Sequence, residues 1–165
     1  MTALSTAGGQ DACAVLSLAG LIRLIAEIDD NGPIPKRGLA RTLPDLSLHR
    51  LRHATDLART LHLVHGGAGG SLVLTASGEE LADAYDALAR WARRHNYPAP
   101  ICDFTRRIQH TLALLATPAT PRVERDAHAP AAPGEQALAD LAGPRDALEQ
   151  WLRAHPQVGQ LPAAA

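Results

Sequence analysis

A mainly α fold with a small β-hairpin, ordered as a winged helix-turn-helix with additional C-terminal helices, is the class this sequence predicts. Three observations predict it. Between Gly32 and Gly78 the chain runs through a short helical stretch, a turn, a longer basic helix, a glycine cluster between two apolar strands, and a new helix start. Apolar residues make up 46% of the chain but aromatics only 3%, and alanine supplies much of the apolar count, so the core is expected to be aliphatic and helical. Two long amphipathic segments follow the glycine cluster.

Residues 1–10 are small and polar and are expected to fray. Asp11 then offers an N-cap to a helix reaching about Asp29. Val15, Leu16, Leu18, Leu21, Ile22, Leu24, Ile25 and Ile28 leave little of its surface polar, so cover is expected on more than one side, part of it from a second subunit. Asp30-Asn31-Gly32-Pro33 ends that helix. A short helix from Pro35 to Leu43, with Leu39, Ala40 and Leu43 inward, precedes the turn Leu43-Pro44-Asp45-Leu46. Ser47 then starts a helix to Leu61, in which Leu48, Leu51, Ala54, Leu57, Ala58 and Leu61 recur at helical spacing.

Leu61–His65 and Ser71–Leu74 flank Gly66-Gly67-Ala68-Gly69-Gly70 and read as a hairpin. Thr75 and Ser77 are both candidate N-caps, Ser77 having capping-box spacing to Glu80, for a helix to about His95. In it Glu79, Glu80, Asp83 and Asp86 precede Arg90, Arg93 and Arg94, the order that complements the helix dipole. Asn96-Tyr97-Pro98-Ala99-Pro100 ends it, and a further helix carries Ile101, Phe104, Ile108, Leu112 and Leu115. Proline, alanine and threonine up to Gly134 make a linker. The segment Glu135 to His155 reads as two short helices interrupted at Gly143-Pro144, and Pro156 to Ala165 as a loose end. The expected organisation is a DNA-binding domain at 11–97, a dimerisation or accessory helix at 98–117, a linker at 118–134 and a helical segment at 135–155.

Net charge is −1, yet between Pro33 and His65 six Lys and Arg face only two Asp, a basic segment suited to phosphates. The longest apolar run is too short to cross a bilayer, and the first residues lack a signal peptide's basic start, so a cytoplasmic protein is expected. A single lysine among many arginines suggests a GC-rich bacterial coding sequence. Cys13 and Cys102 form no C-x-x-C pair and are expected in the core, although a thiol at a helix start is also where a redox sensor would sit. Nucleophile elbow, phosphate loop, H-E-x-x-H and a convincing acid pair are all missing from the sequence, so no enzymatic activity and no cofactor are expected.

The helix from Ser47 to Leu61 shows one apolar stripe and an outer surface with His49, Arg50, His53 and Arg59, which suits the major groove of a duplex. Arg50 near its start could take both acceptors of a guanine. His49 and His53 could donate to bases or phosphates, or as an i, i+4 pair hold a metal, but no third ligand stands nearby and no metal is expected. Ser47 is the N-cap and brings the first amides toward a phosphate. Lys36, Arg37 and Arg41 are candidates for backbone phosphates. Tyr85, Trp91, Tyr97 and Phe104 make either core or an effector pocket.

The stretch from Cys13 to His95 resembles the winged-helix transcriptional regulators of the HxlR type, relatives of the MarR family. The similarity lies in Cys13, in Arg41-Thr42-Leu43-Pro44-Asp45-Leu46-Ser47, in Leu74-Thr75-Ala76-Ser77-Gly78-Glu79-Glu80-Leu81, and in Ala87-Leu88-Ala89-Arg90-Trp91. The resemblance implies a homodimer on an operator in double-stranded DNA, with the N-terminal and post-wing helices forming the dimer contact. The glycine loop carries no basic residue, which leaves a second expectation: the fold kept as a small-molecule-binding or protein-interaction module with little DNA affinity.

Overall fold

The helix expected from Asp11 to Asp29 is two helices, α1 (Ala7–Leu16) and α2 (Ala19–Asn31), parted at Ser17 and Leu18. Leu18 takes extended backbone at the start of α2. Apolar residues run through the break, so hydropathy does not mark it. The structure, a computed structural model, describes residues 3–100, 103–118 and 131–161. It divides into two compact units, Leu16–Asp83 on one side and the described residues of Met1–Val15 and Ala84–Ala165 on the other, a division that falls elsewhere than at 11–97.

In the unit Leu16–Asp83, α2 is followed by β1 (Ile34–Pro35), a 3-10 turn at Lys36–Gly38, α3 (Leu39–Thr42), α4 (Leu48–Thr60), β2 (Val64–Gly66), β3 (Ser71–Leu74) and the start of α5 (Ala76–Arg94). Pro35, expected to begin a helix, instead pairs with Ser71, and Ile34 with Leu72, so the hairpin becomes a three-stranded antiparallel sheet of order β1-β3-β2. Val64 pairs with Leu74 and His65 with Val73. Leu72 and Leu74 on one side of β3 are buried, while Ser71 and Val73 are half-exposed, the alternation of a sheet with one face covered.

Against that face lies α2, which buries Leu21, Ile22, Leu24, Ile25 and Ile28. Each such side chain contributes about 1.5–3 kcal/mol by leaving water. α4 packs on α2 through Leu51, Ala54 and Ala58. The helices meet closely at Gly20, where a Cβ would stand 3.1 Å from that of Ala54 and 3.4 Å from the Arg50 carbonyl oxygen. Leu48, expected in the buried stripe, is 63% exposed, because its position in the first turn lies beside the stripe.

The two ends of the hairpin segment are tied by local geometry. After α4, His62 holds a left-handed backbone (φ 56°), its N–H donates to the Arg59 carbonyl and that of Leu63 to the Ala58 carbonyl, a Schellman motif with histidine where glycine is usual. Thr75, not Ser77, caps α5: its hydroxyl accepts from the Gly78 N–H at 3.1 Å and donates to the His62 carbonyl at 2.6 Å. Gly78 lies so close to Leu63 that a Cβ would collide with its carbonyl oxygen. The Thr-x-x-Gly passage therefore has a packing reason here.

In the other unit, residues 3–10 are not frayed. A 3-10 turn at Ala3–Ser5 buries Leu4, and α1 begins at Ala7 rather than Asp11. α6 (Phe104–Ala116) is capped by Asp103, whose carboxylate accepts from the Arg106 N–H at 2.8 Å, and buries Ile108, Leu112 and Leu115. Ile101, Cys102 and linker residues 119–130 lie outside the described residues, and 131–134 take no regular structure.

Two helices follow as expected, α7 (Glu135–Asp140) and α8 (Ala142–Ala154), but they part at Leu141, with Gly143 and Pro144 in the first turn of α8, where a proline's missing N–H costs no helical bond. They are docked: the Trp91 indole N–H donates to the Ala137 carbonyl at 2.7 Å. His95 Nε2 stands 3.2 Å from an Asp140 carboxylate oxygen but off hydrogen-bond geometry. Residues 156–160 form a 3-10 turn that buries Val158, not a loose end.

Replacing His62 by glycine removes the cost of a side chain at positive φ. His62→Gly is predicted to raise stability by about 0.5–1 kcal/mol in urea unfolding, whereas the same change in the middle of α4 lowers it.

Candidate nucleic-acid interface

The expected DNA-contacting residues all belong to the unit Leu16–Asp83, and all seven, Lys36, Arg37, Arg41, Ser47, His49, Arg50 and His53, are exposed. Their positions follow from how α3 and α4 are set. The turn at 43–47 buries Leu43 and Leu46, which orients the start of α4. Arg23 on α2 grips Asp45 in that turn with two bonds, Nε to Oδ2 at 2.9 Å and a terminal nitrogen to Oδ1 at 3.1 Å. Hydrogen bonding to Arg23 holds the Asp45 carboxyl below the usual carboxylate range. The Arg23–Asp45 pair was not among the expected contacts. The only sign of it in the sequence is the single cation of α2, set among leucines and isoleucines.

Ser47 caps α4 as expected, its hydroxyl accepting from the Arg50 N–H at 3.3 Å. With Leu51, Ala54, Thr55 and Ala58 buried, helical spacing arranges the exposed residues of α4 in three strips. His49, His53, Asp56 and Thr60 form the outermost strip. Arg50 lies on the flank nearer α2, where its carbonyl approaches Gly20, rather than on one face with the two histidines. Leu48, Arg52 and Arg59 form the opposite flank, where they share a groove with Lys36 and Arg37. Arg52 was missed by the expected set, although its i+4 spacing from Leu48 marks the strip.

None of Lys36, Arg37, Arg41, Arg50, Arg52 and Arg59 is in an ion pair with any described residue. The hairpin tip contributes no charge: it consists of Gly66 to Gly70, closed by the Gly67 N–H donating to the Ser71 carbonyl at 2.8 Å. Such a tip offers backbone amides but no cation for a phosphate.

The aromatic residues considered for an effector pocket lie in the other unit. Tyr85 is fully buried and burial pushes its phenol pKa up. Trp91 is buried with its N–H engaged by Ala137 and its ring 5.6 Å from that of Tyr97. Tyr97 and Phe104 are half-exposed. Two cavities, the groove beside α4 and one between the chain ends and α8, are lined by other residues. Cys13 is buried inside α1, and desolvation pushes its pKa up to about 12, so its thiol stays protonated and is a poor nucleophile. Among the described residues no group of three or more His, Cys, Asp or Glu is placed to hold a metal, and no helix is long and apolar enough to cross a membrane.

No protein-family model matches the chain, and comparison with curated proteins and with solved structures finds no match.

The Arg23–Asp45 pair generates a pH prediction. Since the folded pKa of Asp45 is depressed, its contribution is present above the unfolded value of about 3.9 and fades as pH falls through the folded value. The side chains are 33% and 50% exposed, so the contribution is about 0.5 kcal/mol. Asp45→Asn is predicted to lower stability by that amount from pH 5 to 8, with the difference from wild type vanishing toward pH 2. A difference that grows on acidification would remove the pair from this account.

Proposed function

We propose that the chain is a transcriptional regulator that binds double-stranded DNA as a homodimer, with the unit Leu16–Asp83 serving as a winged helix-turn-helix. The observation that carries this reading is the exposed set of cations and imidazoles between Lys36 and Arg59, its cations without an ion-pair partner among the described residues, carried by the turn and short helix before α4 and by α4 itself, whose other side is buried against α2. The order helix, strand, helix, helix, strand, strand and the sheet order β1-β3-β2 support it, as does the resemblance to HxlR-type regulators.

The chemistry follows from the placement of each group. A major groove admits a helix, and its base edges present acceptors that guanidinium and imidazole N–H groups can meet. Arg50 in the first turn of α4 reads a base from the α2 flank, His49 and His53 contribute from the outermost strip, and Ser47 and the first free amides of α4 face a phosphate. Lys36, Arg37 and Arg41 take backbone phosphates, which position the protein without reading sequence. A dimer would place two copies of α4 in half-sites one helical turn apart, about 34–36 Å.

A second reading has its own observation. The uncharged hairpin tip and the groove beside α4 fit a fold kept for binding a small molecule or a protein, with little DNA affinity. Selection of bound duplexes from a random library separates the two, since a regulator enriches a sequence and a pure ligand binder enriches none. On the enriched duplex, Arg50→Ala is predicted to cost about 1–3 kcal/mol and to relax preference at one base position. The pair Lys36→Ala and Arg37→Ala is predicted to weaken all sequences alike and to reduce the salt slope by about one to two. Equal affinity of Arg50→Ala and wild type would remove Arg50 from the base-reading set.

A further inference from the structure

The groove along the Leu48 flank of α4 has an apolar floor and a cationic rim. Leu51 and Leu72 close its bottom and the exposed Leu48 forms one wall, in a cavity of about 400 Å³. Lys36 and Arg37 stand on one side and Arg52 and Arg59 on the other, with Asp56 the single carboxylate among the lining residues. All four cations are exposed and lack an ion-pair partner among the described residues. Thr55, also in the lining, is spent inward, its hydroxyl donating to the Leu51 carbonyl at 2.8 Å. The polar groups left for an occupant are therefore nearly all cationic.

We propose that this groove binds a small amphipathic organic anion, a carboxylate carried on an apolar chain or ring. Its size falls in the range of small-molecule sites, about 300–1,000 Å³. The apolar part would cover Leu48 with Leu39 and Ala40, removing their exposed surface from water above a floor of buried Leu51 and Leu72, and the carboxylate would take charge-assisted hydrogen bonds from Arg52 and Arg59. Bare phosphate would leave Leu48 exposed, and a neutral hydrocarbon would leave the cations unpaired, so neither matches both halves of the site. The proposal stands on the groove alone and does not depend on the DNA reading.

Octanoate is a suitable probe, with octanol and acetate as controls for its two halves. Titration of the full chain by calorimetry, with backbone amide shifts to locate the site, is expected to show saturable octanoate binding that shifts residues of the groove. Octanol and acetate should each bind at least about tenfold more weakly. Arg52→Ala combined with Arg59→Ala should weaken octanoate on the order of tenfold or more while the thermal midpoint of the free protein stays close to wild type, since both side chains are exposed. If that double variant fails to fold, Leu48→Glu, which places a carboxylate in the wall, must produce the same loss. Equal binding of octanoate and octanol, absence of saturable octanoate binding, or shifts confined to residues outside the groove would overturn the proposal.

Discussion

Everything on the exposed side of α4 depends on how its hidden side meets α2. The two helices approach where Gly20 faces Ala54 and the backbone at Arg50, a separation that leaves a Cβ at position 20 only 3.1 Å from its neighbour. Such contact is closer than most side chains permit, and it commits Leu51, Ala54 and Ala58 to the core. A helix has one circumference, so fixing that stripe also fixes the outward strip of His49 and His53 and the two flanks with Arg50 and with Arg52. The Arg23–Asp45 pair sets the same relationship from the turn before α4, holding the start of the helix to α2.

The long periodic elements were legible in the sequence for the reason that burial imposes a period. α4 begins and ends within a residue of expectation, because Ser47 supplies a hydroxyl cap and Leu51, Ala54 and Ala58 repeat at helical spacing. Features decided by a few residues were not. A strand of two residues, Ile34–Pro35, has no period to detect, and its proline argued for a helix start. Leu48 matches the apolar pattern yet stays exposed, since pattern alone does not say where a groove opens. The break at Ser17 and Leu18 carries no glycine or proline, and only packing reveals it. Docking of the C-terminal helices on Trp91 had a faint sign in advance, an indole N–H that needs a partner once buried.

Of the candidate site, residue types and exposure were readable, but grouping was not. A helix drawn as two faces places Arg50 with His49 and His53, while the folded unit puts it on the α2 flank and assigns Arg52 and Arg59 to a separate groove. The neutral hairpin tip was plain in the sequence and shifts the whole electrostatic burden to α3, α4 and the turn before them. Of the aromatic cluster, Tyr85 and Trp91 are buried in the core, with the Trp91 indole N–H satisfied inside the unit, while Tyr97 and Phe104 are half-exposed.

The central claim is that the exposed start of α4 around His49, Arg50 and His53, together with the cations before it, is the surface that meets a duplex. Amide and arginine side-chain shifts of the labelled full chain, followed while a duplex is added, test this most directly. The account predicts changes concentrated at residues 36–41 and 47–53, with α6 and α8 unmoved. Saturable duplex binding whose shifts gather in residues 84–161, leaving α4 unchanged, would contradict it.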